Sequence, residues 1–338
     1  MATIKDIADR LGIAISTVSK GLNGANDISD EMRQLVLDTA VEMGYSSKKM
    51  RNSNNSKVCI IIEDADYETL IQNCYDIIVG FKLSAARRNW EVTVIPGNIH
   101  KNNYEKYDTY MLKNGYRGAF LVGLSYQNDW LSQLGKTSVP TVLLDHYIED
   151  NSHIGFVGTD CTEGIDRAIH HLYELGHRKI AFLNGSKDFM LSNQRQKDFV
   201  HSLIRHGLPV SDNLIRYGYF KPECAREFVP NFIQNGATAI LCGSDLIASG
   251  VIREVHRMGL KVPEHISVIG FDDIPMAAAL TPPLTTIRQD RTNLGKSAFI
   301  LLEGLIHNIS AGKLLLRSQF IPRKSTAPCI EQNIALMS

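Results

Sequence analysis

Two sets of residues in this 338-residue sequence have the types and spacing for recognition chemistry. The first is Ser16, Thr17, Ser19 and Lys20, three hydroxyls and an amine within five positions. Short hydroxyls and a basic head group on one helical surface suit phosphate oxygens and base edges. The second set follows apolar runs: Glu63 and Asp64 after "VCIII" (58–62), Asp145 after "TVLL", Ser244 and Asp245 after "ILCG", and Asp272 with Asp273 in "ISVIGFDD" (266–273). Any one of these acids is readily explained as a helix N-cap in a βα loop. Their recurrence at several strand ends favours a polar pocket.

The first set needs helices to position it. Ile4, Ile7, Ala8 and Leu11 have the spacing of one buried helix face, Thr3 with Asp6 forms a capping-box-like start, and Gly12 is a natural stop. From Ser16 to Leu22 only Val18 and Leu22 are apolar at helical spacing, which leaves the hydroxyls and Lys20 outward. Ser29, followed by Asp30 and Glu31, predicts the start of a third helix whose Met32, Leu35, Val36, Ala40 and Met43 repeat until Gly44. Helix, glycine turn and short polar helix is the layout of a helix-turn-helix DNA reader. Any small three-helix bundle shares the pattern, and spacing alone does not separate the two.

The second set needs strands. Beyond Val58 the runs "VCIII", "GAFLVGL" (118–124), "TVLLD" (141–145), "KIAFLNG" (179–185), "TAILCG" (238–243) and "ISVIGFDD" alternate with amphipathic segments. That alternation predicts α/β structure with two parallel, doubly wound sheets covered by helices. Ligands bind such sheets outside the carboxyl ends of the strands, where the polar residues recur.

The stretch "TIKDIADRLGIAISTVSKGLNG...ISDEMRQLVLDTAVEMGY" closely resembles the DNA-binding domain of the LacI family of bacterial transcription regulators, unbroken from Thr3 to Tyr45. By that resemblance Ile15, Ser16 and Lys20 are base-reading, while Thr3, Thr17, Ser19 and Asn23 meet phosphates, with Lys5 in the same DNA-facing set. Lys20 can donate to guanine and Ser16 to either base type; Ile15 either packs on a thymine methyl or simply on Leu11. Ala14 departs from the family's usual Ser, so the second helix is expected to lack its hydroxyl cap. The linker "SSKKMRNSNNSK" also departs. It is basic and rich in Asn and Ser, with Met50 in place of the usual leucine wedge of a hinge helix.

"GHRKIAFLNG" (176–185), "GLKVPEHISVIGFDDIP" (259–275) and "PPLTTIRQD" (282–290) extend the resemblance to the family's effector domain, which is periplasmic-binding-protein-like. The implied organisation is a helix-turn-helix domain at 1–46, a linker at 47–57 and a two-lobed effector and dimerisation domain at 58–330. The N-lobe takes about 58–155 and 287–317, and the C-lobe about 156–286 and 318–330. The implied effector residues are Asp64, Asp66, Tyr67, Asp145, Arg195, Phe220, Ser244, Asp245, Asp272 and Gln289. Arg195 offers a planar fork of donors and Phe220 an aromatic face. Here too there are departures: the loop "EDADYETLIQNCYD" is long and lacks the usual Asn-Pro-Phe-Phe, and Ser244 replaces Asn. An acid-rich pocket with one Arg and aromatics suits a polyhydroxylated neutral ligand, a sugar, better than an anion.

Composition bounds these readings. Lys plus Arg and Asp plus Glu are 36 each, and residues 1–57 carry eight basic against seven acidic groups. Within 46–57, however, Lys48, Lys49, Arg51 and Lys57 face no acid, a stretch suited to phosphates or to a solvated linker. Six scattered cysteines without a C-x-x-C pair argue against zinc and against a disulfide framework. No run approaches a membrane span, and no apolar leader precedes the helical pattern, so a cytoplasmic protein is expected. Solute-binding protein of transport is the alternative, and it predicts an export leader and no reading helix. An enzyme lacks support: G-x-S-x-G, P-loop, H-E-x-x-H and G-x-G-x-x-G are missing, His170 and His171 sit in an amphipathic pattern, and Asp64 with Asp66 is a poor metal set. The expectation is an effector-controlled, DNA-binding regulator, by family habit a repressor. It would need no cofactor and no membrane, and would act as a homodimer on a near-palindromic operator, the tail after Pro328 being too short for a tetramerisation helix.

Overall fold

The computed structural model describes residues 2–45, 56–62, 67–96 and 106–330, with side chains from residue 74 onward in the helix that starts at residue 67. The linker residues Lys48, Lys49, Met50 and Arg51, the loop acids Asp64 and Asp66, the side chain of Tyr67 and the tail after residue 330 lie outside the described residues.

Three helices make the N-terminal head: α1 (Ile4–Leu11), α2 (Ile15–Asn23) and α3 (Asp30–Glu42). Their ends follow the local chemistry. Thr3 and Asp6 complete a reciprocal capping box, Gly12 closes α1 in the left-handed region at φ 64°, and the Ser29 hydroxyl accepts from the Met32 N–H at 3.2 Å. Ala14 precedes α2 without a side-chain cap, as its replacement of Ser implied. Ile7, Ala8, Val18, Val36, Leu37 and Ala40 form the core of the head. At Gly21 helix α2 comes so close to α3 that a Cβ would lie 3.0 Å from Val36 Cβ.

By its contacts the chain divides into two units, residues 1–158 with 291–314 and residues 159–290 with 315–338. The lobe limits expected from the sequence lie three or four residues from these boundaries. In unit 1 the strands β1 (Lys57–Ile62), β2 (Glu91–Pro96), β3 (Ala119–Val122), β4 (Thr141–Leu144) and β5 (Ile154–Asp160) are mutually parallel in the order β5-β4-β3-β1-β2, with β11 (Lys313–Arg317) beside β5. Helices α4 (Tyr67–Ala86), α5 (Tyr107–Asn114), α6 (Leu131–Leu134) and α12 (Arg291–Ile306) accompany them. Helix α12 meets α4 at glycines: a Cβ on Gly295 would lie 1.8 Å from the Ile77 carbonyl oxygen.

Unit 2 holds β6 (Ile180–Asn184), β7 (Ile215–Tyr217), β8 (Ala239–Cys242), β9 (Ser267–Asp272), β10 (Thr285–Arg288) and β12 (Gln319–Ile321), in the order β12-β10-β9-β8-β6-β7. All neighbours are parallel except the edge pair β10–β12. Its helices are α7 (Cys161–Glu174), α8 (Met190–Arg205), α9 (Ala225–Gln234), α10 (Asp245–Arg257) and α11 (Pro275–Ala279). Leu183, Ile240 and Val268 pack into one hydrophobic cluster and Phe182, Leu241 and Ile269 into another. The period-two alternation thus sends each strand's side chains to both covered faces, which is why these strands read as unbroken apolar runs.

The six cysteines are free thiols, Cys59 and Cys242 buried within strands. His171 has a structural bond on α7, its Nε2 lying 3.0 Å from Thr326 Oγ1. Among the described residues no helix is long and apolar enough to cross a membrane.

Candidate DNA-reading head and effector site

On α2 the short apolar face fixes which residues point outward. Val18 and Gly21 are buried, whereas Ser16, Lys20 and Asn23 are exposed and Thr17 and Ser19 half-buried. Ile15 is 52% exposed, so packing on Leu11 does not hide it from a groove. Lys5 is exposed on α1, while Thr3 is committed to the capping box: its N–H and hydroxyl donate to Asp6 Oδ2 at 2.7 and 2.8 Å, holding that carboxyl below its ordinary range. Asn23 donates through Nδ2 to the Ser19 carbonyl at 2.8 Å, which orients its amide along the helix end. Lys20 pairs with Asp27 in a surface ion pair, and the bond from Lys20 holds the Asp27 carboxyl low. Exposed pairs contribute little, so this one leaves Lys20 available to a stronger acceptor.

Within unit 1 the head is tied to the lobe through α3. Asp38 Oδ1 accepts from Thr109 Oγ1 at 2.7 Å, Lys106 Nζ lies 3.8 Å from Asp38 Oδ2, and Leu112 of α5 joins the head's hydrophobic core. Ser19 and Asn23 line a cavity of about 760 Å³ together with Arg33, Lys57, Leu112 and Lys113.

In unit 2 the parallel strands bring Asn184, Gly243, Asp272 and Gln289 to one carboxyl edge, and α8 supplies Arg195. Ser192, Arg195, Phe199 and Ser202 are among the buried positions of that helix and lie three or four residues apart. Arg195 is only 2% exposed and sits over the Phe271 ring, its guanidinium carbon 3.7 Å from the centroid. Its Nη1 donates to the Gly243 carbonyl, and Nη2 stands 3.9 Å from Asp272 Oδ1. Nε and Nη2 are buried without a hydrogen-bond partner, as are Gln289 Oε1 and Ser192 Oγ. Buried polar atoms are rarely left so, and a cluster of them at one strand edge is what a polar ligand would satisfy. Ser192 was not anticipated; its position three residues before Arg195, on the same helix face, was the available signal.

Asp272 and Asp273 turn the chain at φ of 114° and 56°. Gln289 Nε2 donates to Asp272 Oδ1, while Asp273 is clamped by Arg288 Nε at 2.6 Å and by Arg323 Nη2. The Phe220 ring rests so closely on Gly185 that a Cβ there would fall 2.0 Å from ring Cζ, and Phe189 meets it edge-on at 6.0 Å. In unit 1, Asp145 follows β4 with φ 55° and its Oδ1 faces Gly158.

Two expected effector residues are occupied by the protein itself. Ser244 caps α10, its Oγ accepting from the Ile247 N–H at 3.2 Å. Asp245 is fully buried, with Oδ1 accepting from Thr286 Oγ1 at 2.6 Å and Oδ2 from the Ile274 N–H at 2.9 Å. Burial, reinforced by the nearby Asp272 charge and opposed by the Thr286 and Ile274 bonds, pushes its carboxyl up to about 7. A direct contact from Asp245 to a bound molecule is therefore replaced by an internal role: first-turn acids of this kind serve the scaffold as readily as a ligand.

A helix-turn-helix head on a two-lobed body of parallel α/β sheets, with a cluster of unpaired buried polar atoms at one sheet edge, defines an effector-controlled, DNA-binding transcription regulator. Residues 3–48 match the model of bacterial regulatory proteins, lacI family, and residues 169–326 that of a periplasmic binding protein-like domain. The chain is 30% identical over 311 residues to the transcriptional repressor PurR of Erwinia tasmaniensis, covering 89% of each, and 29% identical over 333 residues to the repressor CytR of Escherichia coli K12, covering 96% of each. Among solved structures it superposes on the regulator CelR in complex with cellobiose (TM-score 0.73, 23% identity, 96% of this chain and 100% of that one). It also superposes on the lac repressor dimer bound to operator and the anti-inducer ONPF (TM-score 0.67, 22% identity, 96% and 99%). The chain belongs to the LacI family.

Proposed function

We propose that the chain is a homodimeric repressor whose two heads read the half-sites of a near-palindromic operator in the bacterial cytoplasm. A carbohydrate held in unit 2 at Arg195, Asp272 and Gln289, with the Phe220 ring contributing beside Gly185, controls it. The observation that carries the effector half is the unsatisfied Nε and Nη2 edge of buried Arg195 beside the Asp272 carboxylate, a donor pair and an acceptor suited to vicinal hydroxyls. The repressor names of PurR and CytR, and the cellobiose bound by CelR, support the reading. No cofactor and no catalysis are part of it. On α2, Lys20, Ser16 and Ile15 read bases, and Lys5, Thr17, Ser19 and Asn23 meet phosphates, while Thr3 serves the head as the cap of α1. Selecting bound sequences from a random duplex pool, with wild type and Lys20→Ala, tests the head. Enrichment of a near-palindrome that the variant loses supports the reading, and no enrichment at low salt contradicts it.

A further inference from the structure

Asp245 opens α10 at the end of β8 and is wholly buried, yet it bridges two other elements. Through Thr286 Oγ1 it reaches β10, and through the Ile274 N–H it reaches the residue that caps α11. Ile274 lies two residues past Asp272, and the intervening backbone is the Asp272–Asp273 turn at φ of 114° and 56°. Backbone of this kind persists only where its surroundings over-determine it. Asp273 is held by Arg288 and Arg323, Asp272 by Gln289, and the exit of the turn by Asp245. Position 270 is fitted to the same carboxylate, since a Cβ on Gly270 would lie 2.2 Å from Asp245 Oδ1.

We propose that Asp245 is a positioning residue for effector recognition: by tying Ile274 to Thr286 it holds the strained turn that presents the Asp272 carboxylate beside Arg195, without itself touching the effector. The functional consequence rests on the effector reading above; the hold on the turn stands without it. An ionised carboxylate accepts the Ile274 and Thr286 hydrogens as charge-assisted bonds, roughly twice as strong as neutral ones. Protonation on Oδ1 leaves the geometry possible, with the Thr286 hydroxyl rotating to accept, but weakens the grip on Ile274. The charged and titratable groups around it are Asp272 and Asp273 on the turn, Cys242 on β8, Arg288 and Arg323 on Asp273, and Arg195 beside Asp272. Burial, with the Asp272 charge beside it, pushes the Asp245 carboxyl up to about 7.

The test is amide and Arg Nε–H NMR of the ¹⁵N-labelled full-length protein, titrated from acid to mildly alkaline pH, for wild type, Asp245→Asn and Thr286→Val. In wild type the Ile274 and Asp272 amides are expected to titrate together, with a midpoint near 7. Asp245→Asn, a neutral near-isostere, should abolish both titrations and displace the Asp272 amide and the Arg195 Nε–H while the remaining spectrum is retained. Thr286→Val removes a bond that favours the ionised form and should move the midpoint to higher pH; it decides the matter alone if the Asn variant does not fold. An Asp272 amide and Arg195 Nε–H indifferent to both substitutions would overturn the proposal and leave Asp245 as a cap of α11. In parallel, operator release by cellobiose and a panel of monosaccharides is followed at low and high pH. A sugar whose affinity changes about threefold or more in wild type but not in Asp245→Asn supports the functional consequence. A sugar whose affinity is equally pH-independent in both overturns that consequence. Failure of every sugar counts against the effector reading and leaves the NMR result to decide the hold.

Discussion

The Arg195 guanidinium carbon lies 3.7 Å from the Phe271 ring centroid, and the same group donates to the Gly243 carbonyl, so two independent contacts fix its position. Stacking on an aromatic face is something a guanidinium does and an ammonium does poorly. Arg195→Lys is therefore expected to keep the charge but lose the fork, weakening effector response by about tenfold or more at unchanged operator affinity. Phe271→Leu should cost about 0.5–2 kcal/mol of effector affinity through loss of the stacked face. Operator-release titrations with each variant check both.

Asp245 makes stability depend on pH with a defined sign. Its folded carboxyl is raised from 3.8 to about 7, so the unfolded chain ionises first. The contribution is fully present below about pH 4, is lost as pH rises through about 7, and is constant above, a difference of about 4 kcal/mol. Asp245→Asn has no proton to lose there. Urea unfolding at acid and mildly alkaline pH should show the gap between variant and wild type shifting in favour of the variant as pH rises; a pH-independent gap contradicts the assignment.

Ala14 leaves the first turn of α2 without a side-chain cap at an extended backbone position, φ −66° and ψ 144°, that suits a hydroxyl residue. Ala14→Ser is expected to stabilise the head by about 0.5–1 kcal/mol. Hydrogen exchange of the α2 amides in the full chain registers the gain. Gly21→Leu should act in the opposite direction, because the Cβ alone already meets Val36 at 3.0 Å; loss of about 1–3 kcal/mol in the head and of operator binding is expected.

Asp38 joins the head to α5 through Thr109 and Lys106. Asp38→Ala removes that polar tie and leaves Leu112 as the apolar contact. Faster hydrogen exchange of the α3 and α5 amides is the expected outcome, at unchanged far-UV circular dichroism.

The head was legible because its signals are local: capping residues, glycine stops and helical spacing lie within a few positions of the elements they define. The buried strands β1, β3, β4, β6, β8 and β9 were legible for a related reason, as parallel strands covered on both faces become continuous apolar runs. Edge strands were not. In β11 the run Lys313–Arg317 alternates between exposed and half-buried positions, and β12 is three residues long and antiparallel. The strand-end acids were visible as a group, but residue type does not say which carboxylate faces a ligand. Asp272 and Asp245 look alike in sequence. Only the fold shows Gln289 and Arg195 beside one, and Thr286 with the Ile274 N–H consuming the other. Spacing places Ser192 on the helix face of Arg195, but that its hydroxyl is unpaired is a property of the surroundings.

The most direct measurement is the affinity of the full-length protein for its selected operator, with and without a panel of sugars including cellobiose, in wild type, Lys20→Ala and Arg195→Ala. The account predicts that Lys20→Ala loses about 1–3 kcal/mol of operator affinity with relaxed sequence preference. It predicts that one sugar modulates wild type and that Arg195→Ala binds operator normally but no longer responds. Operator binding unaffected by Lys20→Ala, or a sugar response undiminished by Arg195→Ala, would contradict it.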